Sequence, residues 1–265
     1  MNRPDLAALR PQIAAIAKRA AAAIMAIYEG PFEVRTKADR TPLTLADERS
    51  EALIAAALDV LTPGIAIVGE EATARGEAAF AGAAPPLFWL VDPLDGTREF
   101  AARNGQFAVC IALIAEGRPV LGAVMAPHEG IVWSGAVGIG AFRQVKDGAE
   151  TPIRARPKPA SGLVVVSSRS HSSNAEDAYL DGHRIGEHRR IGSAIKFGLL
   201  AEGSADLYPR FGPTCEWDTA AGEALLVAAG GRMARPDGRP LGYGKRDFKN
   251  PDFVATGAWD QSSPA

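Results

Sequence analysis

Apolar residues recur at every third or fourth position over two stretches near the start of the chain, which is the spacing of an amphipathic helix. The first stretch covers residues 4–29, with a break expected near Pro11, and Gly30 ends it. The second stretch covers residues 44–62. Its expected apolar side consists of Leu45, Ile54, Ala57 and Leu61. The pattern therefore predicts two helices that each bury one face.

Shorter apolar runs predict β-strands in the following part of the chain. A strand at 65–68 runs into Gly69, and the polar stretch at 72–86 is expected to be a surface connection. Further strands are predicted at 87–91, 107–115, 120–126, 131–134 and 141–144. Helices followed by consecutive strands indicate an α+β arrangement with a mostly antiparallel sheet.

Residues 154–159 carry two prolines between basic residues and are the best candidate for a boundary. Beyond them, strands and helices alternate. Strands are expected at 163–167, 187–191 and 205–209, helices at 175–182, 192–203 and 217–229, and a strand–turn–strand region closes the chain. We therefore predict an α+β domain over 1–153 and an α/β domain over 154–265.

The composition is that of a globular protein: 265 residues, 47% hydrophobic and 23% charged, with a formal net charge of −2. This near-neutral charge argues against a nucleic-acid binder, which is usually basic. Cys110 and Cys215 indicate neither a disulfide framework nor a zinc site. No apolar run reaches the ~18 residues of a membrane span. A cytoplasmic location is expected, with peripheral attachment to the inner membrane left open.

The chemically richest segment is Asp92-Pro93-Leu94-Asp95-Gly96-Thr97, directly after the predicted strand at 87–91. Pro93 and Gly96 predict a turn that ends the strand. Two carboxylates on such a turn can share one small volume, where they repel by roughly 4 kcal/mol at 4 Å and an effective dielectric of about 20. A hard cation, Mg²⁺ first and Mn²⁺ or Ca²⁺ next, would offset that repulsion. An ordinary structural turn explains the residues equally well.

Other acidic residues stand at comparable places in the chain. Glu70 and Glu71 follow a predicted strand, Asp218 opens a predicted helix, and Asp47 lies in the first turn of another helix. Each has an ordinary explanation as well: a solvated loop for the two glutamates, a helix cap for Asp218 and a helix-dipole charge for Asp47. Spacing alone does not bring them together.

Three segments stand in the order and separation found in the inositol monophosphatase superfamily. They are Gly69-Glu70-Glu71, Asp92–Thr97 and Trp217-Asp218-Thr219-Ala220-Ala221-Gly222. The resemblance covers the chain from Lys37 to Asp252. Members of this superfamily are Mg²⁺-dependent, lithium-sensitive phosphomonoesterases. The resemblance implies a layered α-β-α-β-α sandwich of the sugar-phosphatase type.

Within that superfamily, the chain is most similar to the 3′(2′),5′-bisphosphate nucleotidase branch of the CysQ type. The segments that carry this similarity are Asp95–Phe100 with Asn104–Phe107, Gly192–Phe197, Asp206–Pro213 and Ser168–His171. The resemblance implies removal of the 3′-phosphate from adenosine 3′,5′-bisphosphate, giving AMP and phosphate. Some members also act on the sulfated analogue.

The resemblance also implies a ligand set for two or three Mg²⁺ ions, with Mn²⁺ as a substitute. Glu70, Asp92 and the carbonyl oxygen of Leu94 would hold the first ion. Asp92, Asp95 and Asp218 would hold the second, so that Asp92 bridges the two.

Catalytic roles implied by the resemblance fall on three side chains. Asp47 and Thr97 would orient or deprotonate the attacking water, and Glu70 is counted with them. The roles of Glu71 and Cys215 stay open.

The substrate-binding residues that the resemblance implies are Gly96, Thr97, Ser193, Lys196, Arg210 and His171. The amides at the start of the helix at 192–203 are expected to meet a substrate anion. Lys196 is expected to bind the 5′-phosphate, because the matching position in inositol monophosphatases proper is typically not basic. Alternatives stay open: a solvated helix charge for Lys196, an ordinary surface residue for Arg210 and a loop hydrogen bond for His171.

Two other functions compete with this hypothesis. The first is a phosphatase of the same fold that acts on inositol phosphate, fructose 1,6-bisphosphate or another sugar phosphate. The second is a non-catalytic metal or nucleotide sensor, against which the complete acidic set argues. The expected partner is a small phosphorylated nucleotide rather than a nucleic acid polymer, and the chain is expected to be a monomer or a homodimer.

Overall fold

The computed structural model describes residues 4–36, 42–77, 80, 82–170 and 173–260. The helices in these ranges are α1 (Leu6–Tyr28), α2 (Leu45–Leu61), α3 (Glu70–Ala74), α4 (Thr97–Ala101), α5 (Asn174–Leu180), α6 (Ile195–Ala201) and α7 (Glu216–Ala228). A short antiparallel hairpin of β1 (Val34–Thr36) and β2 (Pro42–Thr44) precedes α2. Within the described ranges, no helix is both long and apolar enough to cross a membrane.

The first main sheet contains β3 (Ala66–Gly69), β4 (Leu87–Asp95), β5 (Ala108–Ala115), β6 (Arg118–Ala126), β7 (Ile131–Ala136), β8 (Gly140–Val145) and β9 (Thr151–Ile153). Its strands lie in chain order; β3 and β4 are parallel, and the later pairs are antiparallel. Both faces are buried, because alternate residues of β4 and β5 enter different cores. The mostly antiparallel sheet predicted for the first half is confirmed.

The second main sheet contains β10 (Leu163–Ser168), β11 (Ile185–Ile191), β12 (Leu207–Arg210), β13 (Arg232–Ala234) and β14 (Phe253–Thr256). The order across the sheet is β11-β10-β12-β14-β13. β10 is parallel to β11 and β12, whereas β14 is antiparallel to β12 and β13. The predicted alternation of strands and helices in this half is confirmed.

The sheets and helices form five layers. α1 and α2 cover one face of the first sheet with Ile13, Ile24 and Ile54. α6 and α7 lie between its other face and the second sheet, and α5 covers the outer face of the second sheet through Leu180. The expected α-β-α-β-α sandwich is confirmed. The two sheets divide near residues 154–159, yet one core surrounds α7 with residues of both halves, and the division into two domains stays a prediction.

The predictions for α1 and α2 each contain one wrong detail. α1 runs through Pro11 without a break, because burial of Leu9, Ile13 and Ile16 on both sides of the proline outweighs its missing hydrogen bond. On α2 only Leu45 departs from the predicted apolar side, since it is 42% exposed, whereas Ile54 is buried and Ala57 and Leu61 pack against the same core. The buried stripe of α2 consists of Ala46, Asp47, Ser50, Glu51, Ile54 and Leu58. Polar side chains of this stripe point towards the site described below.

The strand predicted to end in a turn before Asp92 continues to Asp95. β4 pairs Asp92 with Cys110 and Asp95 with Ala108 of β5, so three steps on β4 match two steps on β5. The extra residue is a β-bulge, which bends the strand and re-aims its side chains. Pro93 is tolerated, because a bulged residue needs no ladder N–H. The expected turn is therefore a bulge inside a longer strand.

Candidate active site

A cavity of about 230 Å³ opens where β4, α3, α4, α6, α7 and β12 meet. The predicted site residues that line it are Glu70, Asp92, Leu94, Asp95, Gly96, Thr97, Ser193, Lys196, Arg210 and Asp218. Asp47 lies behind Thr97, to which it is hydrogen-bonded. His171 lies outside the described residues. The fold thus brings residues from both halves of the chain to one cavity.

Asp47 reaches the cavity through Thr97. Its carboxylate accepts the N–H of Thr44 at 2.7 Å, as in a capping box of α2, and it also accepts Oγ1 of Thr44 at 2.6 Å. It also lies 3.2 Å from Oγ1 of Thr97, which is equally near the carbonyl oxygen of Leu94. Whichever acceptor takes the Thr97 proton, the Thr97 oxygen is able to accept a hydrogen bond from a molecule in the cavity.

The bulge in β4 is held on both sides. The N–H of Leu94 donates to Oδ1 of Asp92 at 3.0 Å, and Oγ of Ser50 donates to the carbonyl oxygen of Pro93 at 2.9 Å. Gly96 follows with φ of 91°, and a Cβ there would lie 3.1 Å from the nearest backbone oxygen. These contacts fix the position of Asp92, whose side chain is buried and only 1% exposed.

Asp218 is the third residue of α7, and its Oδ2 accepts the N–H of Cys215 at 2.7 Å. The same carboxyl lines the cavity, so its capping bond does not exclude the predicted site role. α7 can approach the first sheet closely because Gly122 lies beneath it. A Cβ at Gly122 would stand 2.9 Å from Cα of Ala221.

Neighbouring carboxyls add to the raised pKa values of Asp218 and Asp95 in the cavity wall. Burial, followed by repulsion from Asp95 and Glu70, holds the pKa of Asp218 well above its usual range. Burial also raises the pKa of Asp95 to about 6; Glu99 and Glu70 add to the rise, and attraction to Lys196 opposes it. Ionising this wall in full therefore requires a compensating positive charge.

The chemistry of this wall fits a hard divalent cation. Its side-chain donors are oxygens, which such cations prefer, and the ion would offset the mutual repulsion of the carboxyls. Among the described residues, no three His, Cys, Asp or Glu side chains are already grouped as a metal centre. The residues therefore suit the ion by donor type and charge, without a preformed coordination sphere.

Lys196 lies at the base of the cavity and is 3% exposed, so the alternative of a solvated helix charge is wrong. Its Nζ donates to the carbonyl oxygens of Ser193 at 2.5 Å and Ile191 at 3.0 Å, and lies 4.9 Å from the ring centre of Tyr208. Burial lowers its pKa to about 8, and attraction to Asp95 limits the fall. The ammonium gives this side of the cavity a positive charge.

Arg210 is 5% exposed, so it is not an ordinary surface residue. Its Nη2 donates to the carbonyl oxygen of Pro213 at 3.0 Å, whereas its Nε has no hydrogen-bond partner among the described residues. Burial raises the pKa of the neighbouring Glu176, and the charge of Arg210 opposes that rise. A buried donor without a partner is costly, which suits Arg210 to an acceptor on a ligand.

The start of α6 differs from the prediction. The helix begins at Ile195 rather than at 192, and Ser193 before it adopts φ of 54°. The N–H of Ala194 donates to Oδ2 of Asp95 at 2.5 Å. A carboxylate of the protein thus satisfies an amide that was expected to meet a substrate anion. Ser193 itself lines the cavity as predicted.

Sequence reasoning missed several polar residues of the cavity wall. They are Glu99, Ser168, Ser170, Tyr208, Thr214 and Thr219. The buried Glu99 accepts a hydrogen bond from Oγ of Ser170 at 2.6 Å, and Oε1 of Gln106 accepts from the N–H of Gly192 and from Nε of Arg169, both at 2.9 Å. These bonds join the two halves beside the cavity. Most of these residues lie in segments that carried the family resemblance, which was the available signal.

The layered fold and the oxygen-lined cavity define the class of metal-dependent phosphatases. The chain belongs to the inositol monophosphatase family, whose sequence profile matches residues 5–263. The resemblance noted in the sequence is thereby confirmed.

Individual relatives cover nearly the whole chain. The 3′(2′),5′-bisphosphate nucleotidase CysQ of Salmonella typhimurium is 43% identical over 258 residues, which cover 92% of this chain and 98% of the relative. The crystal structure of CysQ from Bacteroides thetaiotaomicron has 33% identity and a TM-score of 0.76, and covers 94% of this chain and 97% of its own. The inositol monophosphatase from Anabaena has 26% identity and a TM-score of 0.75, with 96% and 93% covered.

Proposed function

We propose that this protein is a 3′(2′),5′-bisphosphate nucleotidase that hydrolyses the 3′-phosphate of adenosine 3′,5′-bisphosphate, giving AMP and phosphate. One observation carries the proposal: a single cavity combines a carboxylate wall with two buried cations, Lys196 and Arg210. Carboxylates suit a metal at the phosphate to be cleaved, and buried cations suit a second phosphate. Relatives named for this activity, at 43% identity, support the same conclusion.

In this proposal the carboxylate wall holds the metal ions. One Mg²⁺ would be held by Glu70, Asp92 and the carbonyl oxygen of Leu94. A second would be held by Asp92, Asp95 and Asp218. A third ion would be compatible with this proposal, and Mn²⁺ would be able to replace Mg²⁺. When bound, the ions neutralise phosphate charge and activate water near neutral pH. The buried Asp92, fixed by the N–H of Leu94, is suited to belong to both sets.

Asp47 and Thr97 position the attacking water in this proposal. The capping bonds from Thr44 fix the Asp47 carboxylate, which in turn lies within hydrogen-bond reach of the Thr97 hydroxyl. Thr97 then accepts a hydrogen bond from the water and so aligns a lone pair of the water oxygen with the phosphorus atom. The N–H groups of Gly96 and Thr97 would donate to phosphate oxygens, and Glu70 stands beside them as the third catalytic side chain.

Lys196 and Arg210 act on the 5′-phosphate in different ways in this proposal. Because Nζ of Lys196 already donates to two carbonyl oxygens, its contribution is mainly a fixed positive charge. The guanidinium of Arg210, which lines the cavity, supplies hydrogen-bond donors as well as charge. Ser193 and His171 complete the substrate-binding set predicted from the sequence. The cytoplasmic location and the monomeric or homodimeric state stay predictions.

Phosphate release from a panel of substrates tests this function. The purified protein with Mg²⁺ is offered adenosine 3′,5′-bisphosphate, its sulfated analogue, inositol 1-phosphate and fructose 1,6-bisphosphate. We expect the highest kcat/KM for one of the two adenosine compounds, and inhibition by millimolar Li⁺. A preference for inositol 1-phosphate or fructose 1,6-bisphosphate would assign a sugar phosphatase of the same fold instead. No release from any substrate would favour a sensor.

A further inference from the structure

Glu51 of α2 has a bonding pattern that the proposed function does not use. Its Oε2 accepts the N–H of Glu71 and its Oε1 accepts the N–H of Ala72, both at 2.8 Å. These are the second and third residues of α3, and their amides are the ones that a helix-capping side chain normally satisfies. The residue at the cap position of α3, Gly69, has no side chain to supply that bond. A residue on another helix therefore caps α3.

Gly69 is shaped to admit this carboxylate. A Cβ at Gly69 would lie 2.6 Å from Cδ of Glu51 and closer still to its Oε2, which is nearer than real Cβ contacts come. Glu51 is 7% exposed, and burial is the largest influence on its carboxyl, whose pKa is raised. The structure therefore keeps a costly buried carboxyl at this place and leaves room for nothing larger than glycine opposite it.

Glu51 lies on the side of α2 that holds the other parts of the site. Asp47, Ser50 and Glu51 are three and four residues apart and share one helix face. Asp47 contacts Thr97, Ser50 holds the carbonyl oxygen of Pro93 in the bulge, and Glu51 holds the first turn of α3. One turn of α2 thus sets the relative positions of the segments that carry Glu70, Asp92 and Thr97.

We propose that Glu51 is a positioning residue that fixes the Glu70 carboxylate for the metal by capping α3. Glu70 is the residue between the cap position and the two bonded amides, so its backbone is fixed from both sides. This inference rests on the proposed role of Glu70 as a metal ligand. It predicts that metal affinity depends on a side chain that never touches the metal.

The test compares Mn²⁺ binding and Mg²⁺-dependent activity in the full chain and in three variants. Free Mn²⁺ is measured by electron paramagnetic resonance, which needs no turnover. Glu51→Gln keeps the volume but turns an NH₂ donor towards a backbone N–H. Gly69→Ala displaces the Glu51 carboxylate without altering it. Glu77→Gln is the matched control, because Arg75 pairs both with Glu51, at 3.4 Å, and with Glu77, at 2.7 Å, while 61% of the Glu77 side chain is exposed.

We expect Glu51→Gln and Gly69→Ala each to raise the Mn²⁺ dissociation constant and the Mg²⁺ requirement about 10–100-fold, with kcat largely restored at saturating metal. The double variant should bind Mn²⁺ no more weakly than either single variant, because both changes remove the same cap. Glu77→Gln should behave as the unchanged protein.

The outcomes distinguish a failure of the positioning role of Glu51 from a failure of the proposed metal chemistry. Unchanged Mn²⁺ affinity in Glu51→Gln and Gly69→Ala, with only a lower melting temperature, would show a purely structural cap and overturn the positioning role. If Glu51→Gln does not fold, the Gly69→Ala result decides alone. Absence of Mn²⁺ binding by the unchanged protein would overturn the proposed metal chemistry instead. Weaker Mn²⁺ binding in the variants supports the positioning role even if the substrate panel gives no turnover.

Discussion

The two sides of the cavity carry opposite charges, and burial drives both charges towards neutrality. On the side built by β4, burial raises the pKa of Asp95 to about 6. On the side built by α6 and β12, burial lowers the pKa of Lys196 to about 8. Each charge limits the shift of the other, because they attract across the cavity. The acidic side and the basic side therefore depend on each other electrostatically, although they come from different halves of the chain.

The largest expected effect is on the acidic side. Asp92→Asn keeps an oxygen for the N–H of Leu94 but removes the charge shared by both proposed metal sites. We expect kcat/KM to fall by about 10²–10³-fold or more, and equally for substrates with one or two phosphates. Asp147→Asn, a change in a surface ion pair with Lys18, is the control. An effect confined to bisphosphates would contradict the assignment of Asp92 to the metal.

A smaller and selective effect is expected on the basic side. Lys196→Met removes the buried ammonium while keeping most of its volume. We expect kcat/KM for adenosine 3′,5′-bisphosphate to fall about 10–100-fold, which is the range for the loss of a charged hydrogen bond. The value of kcat/KM for adenosine 3′-phosphate should change little. Steady-state kinetics with the two substrates measure the difference. Lys18→Met serves as the control, and equal losses on both substrates would remove the distinction between the two sides.

The pH dependence should report the same distinction. Since the pKa of Lys196 is lowered to about 8, the side chain is charged below that pH and loses its proton as the pH rises through it. We therefore expect kcat/KM for the bisphosphate to decline above pH 8, up to about tenfold per pH unit, relative to that for adenosine 3′-phosphate. The ratio of the two should be flat in Lys196→Met. A ratio that stays flat in the unchanged protein would show that Lys196 does not act as a charge.

The smallest effect concerns the side of α7 that faces away from the cavity. Glu223 is 6% exposed and accepts the Tyr243 hydroxyl at 2.5 Å. Burial raises its pKa from 4.5 to about 6, so its protonated form stabilises the fold below pH 4.5, and this stabilisation is lost as the pH rises through 6. The loss is about 2 kcal/mol, and kinetics should not change.

Urea unfolding at pH 4.5 and pH 7.5 measures this loss. The unchanged protein should lose stability between the two pH values relative to Glu223→Gln, which keeps an acceptor for Tyr243 without a charge. The exposed Glu129→Gln is the control. A parallel response of Glu223→Gln and the unchanged protein would show that Glu223 does not carry the effect.

The sequence predicted the positions of most strands, and the family resemblance their layering, better than the site geometry. Short apolar runs located β5 to β8, and the run of β5 is continuous because both faces of that strand are buried. Apolar spacing placed Ile54, Ala57 and Leu61 of α2 correctly but missed the polar part of its buried stripe, where Asp47 and Glu51 serve the site. Local patterns assume that polar residues face water, and a site violates that assumption.

Contacts between distant segments account for what the sequence could not give. The burial of Lys196 and Arg210 depends on packing around α6 and β12, and no local pattern records it. The bond between the N–H of Ala194 and Asp95 joins residues 99 apart in the chain, and it fills an amide that had been expected to meet substrate. The acidic residues were easier to locate, since each lies next to a predicted strand or in the first turn of a predicted helix.

The bulge in β4 also bears on how this gene tolerates insertions and deletions. Removing one residue between Asp92 and Asp95 would let β4 and β5 pair without interruption, which is the more regular ladder. Asp95 would still pair with Ala108, but the loss of Pro93 or Leu94 would remove the hydrogen bond from Ser50 to the Pro93 carbonyl oxygen or the bond from the Leu94 N–H that fixes Asp92. A shortened gene product could therefore fold with better strand pairing and still lack the site. At this point segment length, as much as residue identity, is under constraint.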